Sequence, residues 1–120
     1  MIAHVVLFTP RDGLSDHELR LFAREFQSTC RSIPSIRRAA VGPVATFKSF
    51  PEPTIGHKPY AAFACIEFDD TEGLAAYMQH PQHADLARLF WDYCESTMFV
   101  DAEVGDPLSQ DVQAIFGLNT

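Results

Sequence analysis

The stretch Ile2-Ala-His-Val-Val-Leu-Phe8 predicts the first strand of the fold. It contains several β-branched or aromatic residues, and the turn signals Thr9-Pro10 and Asp12-Gly13 follow it. Apolar side chains occupy both alternating sets of positions, and His4 interrupts only one of them. We expect a strand with this pattern to be covered on both faces of its sheet.

Strand and helix patterns alternate along the rest of the chain. A capping box of Ser15 and Glu18 begins a helix that ends before Pro34. The later predicted elements are a strand over 36–44, a loop over 45–59, a strand over 60–68, helices over 72–79 and 81–94, a strand over 98–103 and a short helix over 111–116. The order β-α-β-β-α-β predicts an α+β, ferredoxin-like fold, a four-stranded antiparallel sheet with its helices on one face.

Helices on one face leave the other face of the predicted sheet uncovered. The first and third predicted strands are nevertheless apolar on both sides. A second copy of the same sheet is the simplest cover, because soluble chains most often bury a shared patch through two-fold symmetric contacts. The sequence therefore predicts a homodimer, a dimeric α/β barrel whose two sheets pack face to face.

Composition narrows the class of protein. With 120 residues, 47% of them apolar, we expect one domain over 1–103 and a C-terminal extension over 104–120. The net charge of -7 opposes binding to nucleic acid. The first apolar run ends at Phe8, so we expect neither a signal peptide nor a membrane span, and three widely spaced cysteines fit reduced thiols in a cytoplasmic protein.

The segment Tyr77-Met-Gln-His80-Pro81-Gln-His83 is the most specific motif of the chain. Together with His4 it resembles the stress-responsive dimeric α/β-barrel family, also called the Dabb domain. The resemblance extends over 1–103 and also includes Ile33-Pro34, Val41-Gly42, Ile66-Glu67-Phe68 and Val100-Asp101. It implies the dimeric barrel, in a family that ranges from heat-stable stress proteins to a plant polyketide cyclase that forms olivetolic acid. In that cyclase the matching tyrosine and second histidine serve an aldol cyclisation, and a strand histidine lines the pocket, which implies such roles for Tyr77, His83 and His4.

The residues themselves also indicate acid–base chemistry. Proton abstraction next to a carbonyl needs a neutral base and a donor for the developing enolate oxygen. His83 suits the base, because the positive end of a helix that begins at Pro81 disfavours an added proton. Tyr77 is placed to orient that ring or to donate its hydroxyl, and His4 lies on the strand face that the helices cover. The residues expected to wall the apolar pocket are Phe22, Phe26, Phe90 and Trp91.

Each of these polar residues also has a structural interpretation. His83, Tyr77 and His4 can be core residues whose polar atoms are satisfied by hydrogen bonds. His80 is expected to cap a helix or to face solvent. A metal site on His80 and His83 lacks a visible third ligand, so no metal is expected.

The sequence leaves three functions open. The first is a homodimer that binds a hydrophobic or aromatic small molecule. In its catalytic version His83, Tyr77 and His4 carry out a cofactor-free cyclisation or isomerisation, and the protein is then a cyclase of the lyase class or an isomerase. The second is a non-catalytic, stress-related barrel protein. The third is a monooxygenase of related fold that consumes oxygen without a bound cofactor. No nucleotide-binding or metal-binding motif is present, so no cofactor is expected.

Overall fold

The fold is a four-stranded antiparallel sheet with helices, as the order of elements predicts. The computed structural model describes residues 1–45, 59–109 and 111–118. The elements are β1 (Ile2–Pro10), α1 (Asp16–Ser32), β2 (Arg38–Pro43), β3 (Ala62–Phe68), α2 (Thr71–Gln79), α3 (Pro81–Tyr93), β4 (Cys94–Glu103) and α4 (Asp111–Ile115). The strand order β2-β3-β1-β4 is that of a ferredoxin-like fold, so the predicted fold class is confirmed.

The largest difference from the predicted boundaries is at β4, which begins at Cys94 rather than at 98. The additional residues at the start of β4 pair with the end of β1, where Thr9 faces Ser96 and Pro10 faces Cys94. The register shifts between Thr9 and Pro10. β2 and β3 begin two residues later than predicted, at Arg38 and Ala62. The predicted loop over 45–59 lies, apart from its two end residues, outside the described residues.

The start of α1 is fixed by the predicted capping box. The Ser15 hydroxyl accepts a hydrogen bond from the Glu18 backbone N–H at 3.1 Å. The Glu18 carboxylate in turn accepts one from the Ser15 backbone N–H at 3.0 Å. These two bonds satisfy N–H groups that a helix start leaves without partners, and they fix where α1 leaves the turn after β1.

The junction of α2 and α3 places the motif residues. His80 ends α2 and caps α3, which is one of the two roles predicted for it. Its backbone N–H donates to the Tyr77 carbonyl at 3.1 Å, and its Nδ1 accepts from the Gln82 N–H at 3.1 Å. Pro81 occupies the first helical position, where its missing N–H costs no hydrogen bond. The last turn of α2, with Tyr77, therefore adjoins the first turn of α3, with His83.

The helix-covered face of the sheet carries the core. Two clusters of buried apolar residues lie there, Val6, Phe8, Phe22, Ala64, Leu86 and Phe90 in the first and Ile2, Ile33, Ile66, Phe68 and Tyr77 in the second. His4 shares this face of β1 and is only 3% exposed. It thus stands between the β1 residues of the two clusters, on the side of the strand that was predicted.

The opposite face of the sheet is apolar as well. Val5 pairs with Cys65 on one side and Val100 on the other, and Leu7 pairs with Phe63 and Met98. Phe63 and Val100 remain 37% and 47% exposed in the single chain. This open face, defined by these six residues, is the surface that the homodimer prediction requires.

The C-terminal extension contains the short helix predicted over 111–116, which ends at Ile115. The apolar side chains Leu108, Ile115 and Phe116 of this extension are 92%, 80% and 78% exposed. The division of the chain at 103/104 stays a prediction.

Candidate functional site

A cavity of about 300 Å³ lies on the helix-covered side of the sheet, between β1 and β4 below and α2 and α3 above. Four polar residues line it, His4, Tyr77, His83 and Asp101. The rest of its wall is apolar and includes Phe26, Ile66, Leu86, Phe90 and Phe99. This volume is at the lower end of the range that small-molecule sites occupy, and few polar groups in an apolar wall are usual for them.

The structure brings together the three residues that the sequence singled out for chemistry. The rings of Tyr77 and His83 lie 4.6 Å apart between centroids. The rings of Tyr77 and His4 lie 5.6 Å apart. Tyr77 therefore stands between two imidazoles that reach the cavity from different elements, His4 from β1 and His83 from α3.

Two of the four aromatic residues expected in the pocket wall are found there and two are not. Phe26 and Phe90 line the cavity. Phe22 instead packs into the first core cluster, against Phe90 and away from the cavity. Trp91 is 87% exposed and borders a separate groove between α3 and the start of β4. Helical periodicity identifies the inner side of a helix but not the residues that each inner side chain meets, which is why the prediction included Phe22. Trp91 follows the buried Phe90 on the outer side of α3 and was included because it belongs to that helix.

His4 is held by a carboxylate from the neighbouring strand. Its Nδ1 lies 2.5 Å from Oδ1 of Asp101, its register partner in β4. Because a carboxylate only accepts hydrogen bonds, Nδ1 carries the proton of this bond, and Nε2 is left for other partners. The side chain of His4 is 4% exposed and that of Asp101 is 45% exposed. The pair therefore extends from the buried wall of the cavity to its solvent-exposed edge. Phe99 stacks against the His4 ring with an interplanar angle of 19°.

Burial sets the protonation of the other two polar rings. It raises the pKa of the Tyr77 hydroxyl, and the nearby Cys30 and Asp101 raise it further. Burial also lowers the pKa of His83, to which His4 adds, while a hydrogen bond with the Met78 backbone opposes the shift. At neutral pH Tyr77 therefore remains a hydrogen-bond donor and His83 a neutral base, the states that proton abstraction requires.

Asp101 is the site residue that sequence reasoning did not single out for a chemical role. The sequence contains a sign of such a role, because the carboxylate of Asp101 directly follows the apolar residues Phe99 and Val100 of the predicted strand. Only the register between β1 and β4 shows that it faces His4. That register depends on pairing between segments far apart in sequence.

No cysteine is among the described residues that line this cavity. The three cysteines, Cys30, Cys65 and Cys94, are free and half-buried. In the described residues no three His, Cys, Asp or Glu side chains are grouped so that they could hold a metal ion. No helix in the same part of the chain combines the length and apolar character that crossing a bilayer needs.

Comparisons with known proteins agree with this fold. The family model described as Stress responsive A/B Barrel Domain, or Dabb, matches residues 2–104. A search of curated proteins finds no match to the sequence.

Three solved structures illustrate the similarity. A hydroxynitrile lyase from Passiflora edulis has a TM-score of 0.74 at 12% identity, over 88% of this chain and 94% of that one. A dabb family protein with a ferredoxin-like fold from Mesorhizobium loti has a TM-score of 0.65 at 22% identity, over 87% and 97% of the two chains. A dimeric ferredoxin-like protein of unknown function from Thermobifida fusca has a TM-score of 0.65 at 18% identity, over 86% and 90%. At these identities the similarity establishes the fold alone.

Proposed function

The chain belongs to the stress-responsive A/B barrel domain family, and we propose that it binds a hydrophobic or aromatic small molecule in its cavity and catalyses cofactor-free acid–base chemistry on it. The reaction class is a cyclisation of the polyketide type or an isomerisation. The convergence of His4, Tyr77 and His83 on one largely apolar cavity carries the proposal. A side-chain-filled core with the same rings satisfied among themselves would instead favour a structural role.

The proposed roles follow from the protonation states of the two rings in closest contact. His83 is the general base, because burial lowers its pKa and keeps the imidazole neutral. Tyr77 donates its hydroxyl to the developing enolate oxygen, because burial raises the pKa of that hydroxyl. The 4.6 Å between their ring centroids allows one bound carbonyl compound to meet both groups.

His4 supports the same chemistry from the sheet side. Its bond to Asp101 fixes the orientation of the ring and leaves Nε2 available for a substrate hydroxyl or a water molecule. His4 is therefore a polar contact that holds the substrate while His83 moves the proton.

The proposed reaction balances without a cofactor. His83 removes a proton from the carbon next to a carbonyl, and Tyr77 hydrogen-bonds the resulting enolate oxygen. In an isomerisation the proton returns to a different carbon. In a cyclisation the enolate carbon forms a bond to a second carbonyl carbon of the same molecule, and the new alkoxide takes the proton from His83.

Deuterium exchange tests the central step. We expect the wild-type protein to accelerate incorporation of deuterium from D₂O at the α-carbon of β-tetralone, a ketone fused to an aromatic ring, measured by NMR. Replacing His83 by Gln removes the base and should slow the protein-dependent exchange by about 100-fold or more. Tyr77→Phe keeps the buried ring and removes the hydroxyl alone, and we expect a comparable loss.

The matched control for this assay is His17→Ala, since His17 is an exposed histidine at the start of α1 and does not line the cavity. It should exchange at the wild-type rate. Thermal unfolding of each variant separates loss of the base from loss of the fold. Wild-type exchange in a folded His83→Gln variant would remove His83 as the base.

We propose in addition that the working unit is a homodimer formed through the open face. The exposed apolar pairs of that face support this assembly, and so does the dimeric state of a similar structure. Val100→Lys places a charge on the β4 edge of the open face, beside Val5, and should give a monomer by light scattering at micromolar concentration. Val41→Lys changes an exposed valine on the opposite side of the sheet and should leave the mass unchanged. A monomeric wild-type protein would contradict the assembly.

A further inference from the structure

The charges around the cavity are of one sign. Asp101 contributes a carboxylate to the lining, and among the described residues no lysine or arginine lines the cavity. The two imidazoles are the remaining groups that could carry a positive charge. The chain as a whole also carries a net negative charge of -7.

Neither imidazole is free to neutralise an anionic ligand. The Nδ1–H of His4 is already committed to Asp101 at 2.5 Å. His83 is half-buried beside apolar side chains, where the imidazolium form is disfavoured. A ligand carboxylate in the cavity beside these rings would lose its hydration without gaining a cation, and it would lie near the carboxylate of Asp101.

An uncharged carbonyl group meets the same surroundings without this cost. Its oxygen needs one donor, which the Tyr77 hydroxyl supplies. The rings of Phe26, Phe90 and Phe99 offer apolar contact to the rest of such a molecule.

We infer that the cavity selects uncharged ligands over carboxylates of the same shape, with Asp101 as the residue that determines this selectivity. The substrate is accordingly a neutral carbonyl compound with an aromatic or alicyclic body, and a free carboxylic acid is excluded. This inference rests on the proposed function, because it describes what the same cavity accepts.

The test uses two probes with the same ring and the same number of heavy atoms, β-naphthamide and β-naphthoate. Dissociation constants are measured by calorimetry, and the ring signals of His4, Tyr77 and His83 are followed by NMR to show where each probe binds. We expect wild-type protein to bind the amide at least about tenfold more tightly than the carboxylate. Asp101→Asn, which keeps an oxygen acceptor for His4, should narrow that ratio to about threefold or less.

Glu103→Gln is the matched control. Glu103 lies two positions further along β4, pairs with Ile2 on the same side of the sheet and does not line the cavity. The substitution changes the net charge as Asp101→Asn does, so the wild-type ratio should persist if selectivity is local. The inference would be overturned if the affinity ratio of amide to carboxylate fell equally in both variants, or if wild-type protein bound naphthoate as tightly as naphthamide. Either outcome would leave the proposed function standing. If neither probe shifts the cavity ring signals, the proposed function itself fails and the inference with it.

Discussion

The two ends of β1 present their inner side chains to very different surroundings. At the Phe8 end, the rings of Phe8 and Phe22 each meet Phe90 edge to face, with centroids 5.0 and 4.9 Å apart. At the His4 end, the rings of His4 and His83 flank Tyr77 at similar spacings, 5.6 and 4.6 Å. Yet the rings at the His4 end are polar and line the ligand cavity, whereas those at the Phe8 end are phenylalanines that pack on one another. A second pocket, of about 270 Å³, lies beside Phe8 and Phe22, and no titratable side chain is among the described residues that line it.

This difference separates stability from binding along one strand. Edge-to-face phenylalanine rings exclude water and gain close contacts, so the Phe8 end should contribute most to the free energy of unfolding. The His4 end contains polar rings around a cavity, an arrangement that sacrifices contacts and is useful where a ligand supplies them. Substitutions at the two ends should therefore affect different measurements.

The largest effect is expected from Phe22→Ala at the Phe8 end. Phe22 is 7% exposed and touches Phe8, Phe90 and Tyr93. Removing its ring should lower the free energy of unfolding by about 3–5 kcal/mol, through lost burial and the cavity left behind. Urea unfolding at a fixed protein concentration measures this loss.

Met78→Ala is the matched substitution at the other end. Met78 lines the ligand cavity but is 47% exposed, so its truncation should cost less than about 1 kcal/mol. Equal losses for the two variants would contradict the division between a stabilising end and a binding end.

Local signals were enough to predict most of the fold. The capping box of Ser15 and Glu18 and the proline at the start of α3 gave those helix starts because each is decided within a few residues. The sequence predicts the start of β4 at 98, because no glycine or proline marks the end of α3 before that position. Pairing with Thr9 and Pro10 extends that strand, and such pairing is not visible in either segment alone.

The candidate site was predictable to the extent that it depends on one element at a time. Strand alternation placed His4 on the helix-covered face, and the cap at His80 accounts for the proximity of Tyr77 and His83. The partnership of His4 with Asp101 depends on the register between two strands separated by most of the chain. The same limit explains the misplaced Phe22, since periodicity does not say which residue faces it.

A pair of enlargements should sharpen the comparison with a smaller effect. Ala64 is completely buried in the first cluster, opposite Val6, so Ala64→Leu should overpack that end and cost about 1–3 kcal/mol. Ala87 lies at the rim of the ligand cavity and is exposed, so Ala87→Leu should change the free energy of unfolding by less than about 0.5 kcal/mol.

Binding measurements should show an effect in the other member of this pair: Ala87→Leu should weaken binding, whereas Ala64→Leu should not. The new side chain of Ala87→Leu enters the cavity mouth and should weaken binding of β-naphthamide in calorimetry, whereas folded Ala64→Leu should bind it as wild type does. A strongly destabilised Ala87→Leu variant would show that the cavity end is as tightly packed as the Phe8 end.

The smallest expected effect is in the pH dependence of stability near pH 6, and it arises from His83 at the His4 end. Because the pKa of His83 is lowered on folding, the unfolded chain binds the proton more readily below the ordinary histidine value of 6.5. Stability should therefore fall as pH drops from about 6.5 toward the folded pKa, by less than about 1 kcal/mol for a half-buried group. The lowered pKa of Glu18 acts separately, since its stabilisation is lost only below its ordinary value of 4.5. In urea unfolding across this range, His83→Gln should remove the upper slope while His17→Ala retains it, and an unchanged slope in His83→Gln would mean that another group in the fold takes up that proton.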